Sequence, residues 1–253
     1  TGTFIIEGLY PGYGVTIGNS LRRVLLSSLQ GAAVTEVKIK GVDHEFATIP
    51  GVLEDVITIL LNLKQLRFRI HADEPQRATL KVKGEKEVTG SEFAFPAQLE
   101  LISTDAPIAH LTSKAAELEM EIQIEKGTGY VPTEARTKEK SETGVLALDA
   151  IFTPVKRVSS RVENMRVGDQ TDFNRLTIEV ETDGTLSPEE AFYQASDVLV
   201  RQFGVIMDGV REAAEKKAAV QEKEPKEEKK TTAKKAVKKA TKEPAKAPKK
   251  AKK

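Results

Sequence analysis

The stretch YPGYGVTIGNSLRRVLLSSLQG, residues 10–31, sets three glycines ahead of an apolar segment that carries two arginines. Two kinds of structure begin this way. In nucleotide-binding proteins a glycine-rich turn and the helix after it cradle phosphate with backbone N–H groups. Elsewhere glycines only shape a tight entry, and the helix turns its charged side chains to a protein partner. Gly12, Gly14 and Gly18 read G-x-G-x-x-x-G, one residue longer than the dinucleotide fingerprint. Gly18 is followed by Asn19-Ser20 where a P-loop needs Lys-Ser/Thr, so the phosphate chemistry lacks its cation. On a wheel of roughly 100° per residue, Ile17, Leu21, Val24, Leu25 and Leu29 share one side, the predicted core face. Asn19, Arg23 and Leu26 fall opposite, with Arg22 at the flank. Arginine and leucine together on an outward face suit a protein contact, although single exposed leucines are also common on surfaces.

Outward from this stretch the pattern mixes α and β. TEVKIK (35–40) and AELEMEIQIE (116–125) alternate apolar and charged residues and predict strands with one buried face. LRFRIH (66–71), ATLKVK (78–83), QLELI (98–102) and LTIEVET (176–182) read the same way, and TFIIEGL (3–9) is strand-like. Val52, Val56, Ile59, Leu60 and Leu63 recur at helical spacing and predict a helix over 52–64 after the Pro50-Gly51 turn. Ser187-Pro188-Glu189-Glu190 is a helix start, with serine at the N-cap, proline at N1 and glutamate at N3. The helix it opens is expected to run to about residue 215. At about 1.5 Å per residue that helix is about 40 Å long, and Ala191, Ala195, Val198, Leu199, Phe203, Ile206 and Val210 form an apolar stripe along it. Such a helix fits either the core of one large domain or a contact with a second copy of the chain.

Composition bounds the rest. At 253 residues the chain can hold one large domain or two ordinary ones. It has no cysteine, which excludes disulfides, thiolate metal sites and cysteine nucleophiles. No apolar run approaches a membrane span and no signal region opens the chain, so a soluble cytoplasmic protein is expected. His44, His71 and His110 lack ligand spacing and predict surface or hydrogen-bonded histidines, with no metal site and no cofactor. No G-x-S-x-G elbow occurs, and Glu54-Asp55 and Glu189-Glu190 sit where helix first turns favour negative charge. No catalytic residue is assigned.

The formal net charge of +1 conceals an asymmetry. Residues 216–253 hold 16 lysines against 5 glutamates, whereas residues 1–215 hold 23 basic and 33 acidic side chains. The tail has too little apolar content to offset its ordering entropy and is expected to be disordered. Its +11 charge suits non-specific DNA contact or a solvated linker.

Three segments together resemble the alpha-subunit family of bacterial DNA-directed RNA polymerase. They are GYGVTIGNSLRRVLLSSLQGAAVTEVKIKGVDHEFATIPGVLEDVITILLNLK (12–64), GTGYVP (127–132) and VENMRVGDQTDFNRLTIEVETDGTLSPEEA (162–191). The resemblance covers nearly all of residues 3–215. It implies an α+β homodimer that nucleates polymerase assembly, one copy holding the beta and the other the beta-prime subunit, with the catalytic chemistry in those large subunits. It further implies a discontinuous dimerisation subdomain, 1–30 with 154–215, and an inserted, mostly β subdomain, 31–153, followed by the disordered tail at 216–253. The family's Asn-x-Leu-Arg-Arg helix falls on Asn19, Leu21, Arg22 and Arg23, which makes Arg23 the expected beta contact, with Leu26 one turn on. His44, Glu45 and Phe46, and Gly129, Tyr130 and Val131, match family segments expected at large-subunit contacts. Leu21, Leu25, Leu199, Phe203 and Ile206 are the expected dimer residues. Family members also carry about twenty residues before the first strand and a C-terminal DNA-binding domain. Here the chain starts at Thr1 in a strand, so an N-terminal piece is expected before it, and the lysine-rich tail stands in the C-terminal domain's place. The rival readings are an independent nucleotide-binding enzyme and a histone-like protein acting through that tail.

Overall fold

The apolar–polar alternation that marks the strands also decides which way each one faces. The computed structural model describes residues 1–136 and 144–239; residues 137–143 and 240–253, the latter the end of the basic tail, lie outside the described residues. In chain order the elements are β1 (Gly2–Leu9), α1 (Tyr13–Ser27), β2 (Gln30–Ile39), α2 (Val56–Lys64), β3 (Phe68–Ile70), β4 (Gln76–Lys83), β5 (Lys86–Thr89), β6 (Leu99–Leu101), β7 (Pro107–Leu111), β8 (Glu117–Thr128) and β9 (Tyr130–Val131). There follow α3 (Thr133–Arg136), β10 (Val145–Ala147), β11 (Ala150–Ile151), β12 (Val155–Val167), β13 (Gln170–Thr182) and α4 (Pro188–Lys239). The result is a mixed, sheet-rich α and β architecture.

β1, β13 and β12 form a three-stranded antiparallel sheet in that order. Leu176, Ile178 and Val180 of β13 and Val155 and Val158 of β12 point to one side, where Leu21, Leu25 and Leu29 and then Ala191 and Ala195 of α4 cover them. A larger sheet runs β4-β8-β2-β3-β6, with β10 added to β2. Its buried face carries Leu118, Met120, Ile122 and Ile124 of β8 and Ala78, Leu80 and Val82 of β4, packed with Val56, Ile59, Leu60 and Leu63 of α2. Burying each such aliphatic side chain contributes about 1.5–3 kcal/mol, which fixes the register because a one-residue slip would expose them all.

Two ties join β3 to the loop before α4. Arg69 donates to the Thr185 carbonyl from Nη2 at 2.7 Å and from Nε at 3.2 Å. Arg67 lies 3.4 Å from the buried Asp183 carboxylate and also donates to the Lys64 carbonyl at 2.8 Å. Phe152 closes over β2 and β8 where both strands have glycine: a methyl group on Gly31 would stand 1.8 Å from the Phe152 carbonyl oxygen.

Two elements differ from their sequence-based bounds. α2 starts at Val56 rather than 52, because Asp55 caps it by accepting the Thr58 N–H at 2.9 Å. Residues 52 and 53 instead bond to β7, Val52 opposite Leu111 and the Leu53 N–H on the His110 carbonyl at 2.9 Å. α4 opens as expected, with Ser187 and Glu190 exchanging reciprocal hydrogen bonds at 3.3 and 3.2 Å. It runs to Lys239, however, past the expected end near 215 and into the part of the tail expected to be disordered. Alanine, lysine, glutamate and glutamine dominate that extension and are strong helix formers. Contacts divide the chain at Leu199: Thr1–Leu199 holds the cores, and the unit from Val200 contains the rest of α4. Among the described residues no helix is long and apolar enough to cross a membrane.

Candidate subunit interface

The glycines of residues 10–31 have structural work to do. Gly12 is the N-cap of α1 and holds φ +83°, a conformation that favours glycine. The Gly12 and Gly14 N–H groups, which a phosphate site would leave open, both donate to the side-chain oxygen of Asn174 on β13, at 2.9 and 3.3 Å. Asn174 is buried and donates in turn to Asn164 Oδ1 at 3.2 Å. Gly14 and Gly18 lie one turn apart against the sheet. A methyl group on Gly14 would meet Val162 at 2.7 Å, and one on Gly18 would meet Leu176 at 3.0 Å. The turn is therefore a docking joint between helix and sheet, closed to phosphate.

That docking aims the opposite face of α1 at solvent. Asn19, Arg22 and Arg23 are exposed. Among the described residues, neither arginine side chain has a hydrogen-bond or ion-pair partner. α1 itself contains no aspartate or glutamate to supply one. Thr16, Ser20 and Ser27 hydroxyls donate back to carbonyls four residues earlier, Ser27 to Arg23 at 2.7 Å, which leaves the guanidinium groups as the long reach of this face. Leu26 corrects the wheel: it is half-buried and packs on the chain's own core, because the helix ends at Ser27 and the chain reverses at once into β2. Leu21 and Leu25, expected at a dimer contact, are likewise 5 % and 0 % exposed in that core, so they have no apolar surface left for a second copy. Leu199 is half-buried against the same core, whereas Phe203 and Ile206 are exposed. Val200, Val205, Met207 and Val210 join them in an apolar run on α4.

The other expected contacts divide. Gly129, at φ +64°, abuts the end of α1: a methyl group there would be 3.1 Å from the Ser27 carbonyl oxygen. Tyr130 beside it is 60 % exposed, while Val131 packs inward on Ala33, Ala150 and Phe152. The Gly129–Tyr130 segment therefore lies beside the C-terminal end of α1, where Ser27 stands one turn after Arg23. His44, Glu45 and Phe46 occupy a separate exposed loop after β2. Phe46 is 74 % exposed, and Leu53, which sequence reasoning put at the head of a helix, is 72 % exposed on the next loop. Tyr10, Tyr13 and Val15 are also exposed around the glycine turn and were overlooked.

Several cations of the larger sheet are paired within the fold, whereas Lys114, Lys156, Arg157 and Arg161, like the α1 arginines, have no side-chain partner among the described residues. Glu119 on β8 lies 2.8 Å from Lys40 and 2.9 Å from Lys81, and hydrogen bonds from Lys40 and then Lys81 hold its carboxyl down to about 2. Among the described residues no cluster of histidine, aspartate and glutamate could hold a metal ion.

Comparison with known proteins places this geometry. Residues 37–153 match the family model described as RNA polymerase Rpb3/RpoA insert domain. Three similar proteins carry the name DNA-directed RNA polymerase subunit alpha. That of Carboxydothermus hydrogenoformans is 44 % identical over 228 residues, 88 % of this chain and 72 % of that protein. That of Symbiobacterium thermophilum is 46 % identical over 226 residues, 89 % of this chain and 71 % of the relative. That of Alkaliphilus oremlandii is 47 % identical over 225 residues, again 89 % and 71 %. At that identity and coverage, the chain belongs to the bacterial RNA polymerase alpha-subunit family.

Proposed function

We propose that this chain acts in transcription as a non-catalytic, dimeric scaffold on which the beta and beta-prime subunits of a cytoplasmic DNA-directed RNA polymerase assemble. The observation that carries the reading is the outer face of α1, where the Arg22 and Arg23 side chains stand exposed and, among the described residues, without partners on a helix whose glycine turn is committed to packing. A guanidinium offers five donors in a planar fork and pairs with a carboxylate or with backbone oxygens at two points. An unpaired one on a rigid helix is suited to a protein acceptor. The exposed run Phe203, Ile206 and Val210 suits the dimer contact, since two crossing helices can cover each other's apolar stripes. In this reading the core of α1, β12, β13 and α4 is the dimerisation part and the core of the larger sheet is the insert.

The test is reconstitution. The chain should sediment as a dimer at micromolar concentration and then capture the beta and beta-prime subunits. A dimer that captures neither subunit would overturn the scaffold reading, and a folded monomer would overturn the dimer contact. The +11 charge of residues 216–253 favours a second contribution, non-specific DNA contact by the tail. With about 6 phosphates engaged, log affinity should fall against log salt with a slope near about −5. Equal low-salt DNA affinity of the full chain and a version ending at residue 215 would remove that contribution.

A further inference from the structure

The loop bearing Phe46 and the loop bearing Leu53 are fastened to β7 by a chain of contacts that ends on one histidine. The Val56 N–H donates to the Ala47 carbonyl at 3.3 Å and Thr48 bridges to Asp55, which ties the first loop to the second. The second is tied to β7 on both sides of His110: the Leu53 N–H donates to the His110 carbonyl at 2.9 Å and the Thr112 N–H to the Gly51 carbonyl at 2.8 Å. Between these stands Glu54, whose side chain is only 14 % exposed. Its Oε2 accepts the His110 backbone N–H at 2.7 Å, and its Oε1 takes the His110 ring at Nδ1. The other ring nitrogen, Nε2, lies 3.5 Å from Glu87, the residue directly opposite His110 on β5.

We propose that Glu54, His110 and Glu87 form a proton-dependent clasp that holds the Phe46 and Leu53 loops in register on β7. Imidazolium donates from both ring nitrogens and can serve two carboxylates at once; neutral imidazole donates from one and turns a lone pair toward the other carboxylate. Loss of one proton therefore converts a double tie into a single tie with a repulsive contact. The neighbouring charges do not compensate. Asp55 is turned to the α2 N-cap and Lys86 to Glu92, so Glu54 and Glu87 are the charged groups acting on the ring. The Glu54 hydrogen bond raises His110 above its ordinary 6.5, against the opposing effect of burial. For Glu54 burial pushes upward, yet the hydrogen bonds from the His110 backbone and ring outweigh it and hold the carboxyl below its ordinary 4.5.

The signs define a window. A raised histidine contributes stability in full below its unfolded value, and that contribution is lost as pH rises through the folded value. A lowered carboxyl contributes above its unfolded value and loses this as pH falls through its folded value. The clasp is tightest between about 4.5 and 6.5, and it loosens on the alkaline side. That these loops face a large subunit rests on the function proposed above; the clasp itself does not, and its test needs no partner.

The experiment is an NMR titration of the full chain with labelled histidine rings, together with amide exchange across residues 51–56 corrected for intrinsic rates. His110 should titrate above 6.5, and Glu54→Gln should lower its midpoint. Exchange protection at Leu53 should fall several-fold between about pH 6 and about pH 9 in the wild type and stay level in Glu54→Gln. If Glu54→Gln does not fold, Glu87→Gln serves, because Glu87 is exposed; it should lower the His110 midpoint by a smaller step. A wild-type His110 midpoint at or below 6.5, or Leu53 protection that is flat across this range, would overturn the clasp. Failure of the chain to capture a large subunit would leave these results unchanged and count only against the partner reading.

Discussion

The outer faces of β4–β8 and of α1 both carry cations, and they treat them in opposite ways. On the sheet, Lys81 and Lys83 of β4 stand directly opposite Glu119 and Glu117 of β8 and pair with them at 2.9 and 3.1 Å. Arg77 reaches the diagonal Glu121 at 3.1 Å. On the helix, which has no carboxylate of its own, Arg22 and Arg23 have no carboxylate partner among the described residues. Antiparallel pairing puts cross-strand side chains about 5 Å apart, so a strand pair can neutralise itself from local sequence. The difference separates cations paired within the fold from cations that are unpaired among the described residues and that the proposed function assigns to a partner.

The largest expected effect tests that separation directly. Arg23→Ala should leave folding within about 0.5 kcal/mol of wild type, because an exposed, unpartnered side chain contributes little. Its affinity for the beta subunit should drop by roughly 2 kcal/mol or more, a loss on the order of thirtyfold. Arg77→Ala is the matched control and should change neither quantity beyond about 0.5 kcal/mol, the ordinary worth of an exposed pair. Arg67 would be a poor control, since it is pinned to Asp183 and to the Lys64 carbonyl. Arg23→Lys should rescue only part of the binding, because ammonium lacks the fork. Undiminished binding by a dimeric Arg23→Ala protein would erase the distinction between the two faces.

The next effect lies under the helix rather than on it. Asn174→Ala removes the acceptor that serves both Gly12 and Gly14, and the Gly14 N–H is buried where water cannot replace it. Thermal or urea unfolding should show a loss of about 1–3 kcal/mol, the cost of a stranded donor. The aim of α1 should suffer with it, so beta binding should weaken even though Arg23 is intact. Asn174→Asp restores the acceptor but loses the donor to Asn164 and buries a charge, so it should recover only part of the stability. If Asn174→Ala is as stable as wild type, the glycine turn is held by something other than this joint.

These two regions also divide what sequence can tell. The strands of the larger sheet were legible because alternation over LEMEIQI and ATLKVK is a local property that tertiary packing then only had to accept. The Ser187–Glu190 capping box was legible for the same reason, its partners being three residues apart. The phosphate reading of residues 10–31 could be weakened by the missing lysine, but the group that closes the site is Asn174, some 160 residues away, and nothing at either position announces the pairing. Leu26 failed on a flat wheel because the wheel knows nothing of the reversal at Ser28 that wraps the last turn in core. Val52 has helical spacing yet pairs with Leu111 of β7, and the Leu53 N–H bonds to the His110 carbonyl, so pairing with β7 replaces the first turn of the helix. The arginine face was legible as a pattern of residue types; that it has no internal partner required the fold.

The smallest effect is on the paired face, and it sharpens the comparison from the other side. Glu119 accepts from Lys40, the residue just after β2, and from Lys81 on β4, and so ties β8 to both neighbours. Those two hydrogen bonds hold its carboxyl at about 2, below its ordinary 4.5. A lowered carboxyl contributes stability that is complete above its unfolded value and is lost as pH falls through its folded value. Wild type and Glu119→Gln should therefore differ in urea midpoint by a small amount near neutral pH. The gap should shrink steadily below about 4.5 and close near about 2. Because the group is open to solvent, added salt at neutral pH should narrow the gap as well, through screening over a Debye length of about 3 Å at 1 M. The same variant should bind the beta subunit as wild type does. A gap that ignores both acid and salt would mean that Glu119 acts by packing rather than by charge, and the ladder would then be no counterpart to the unpaired arginines of α1.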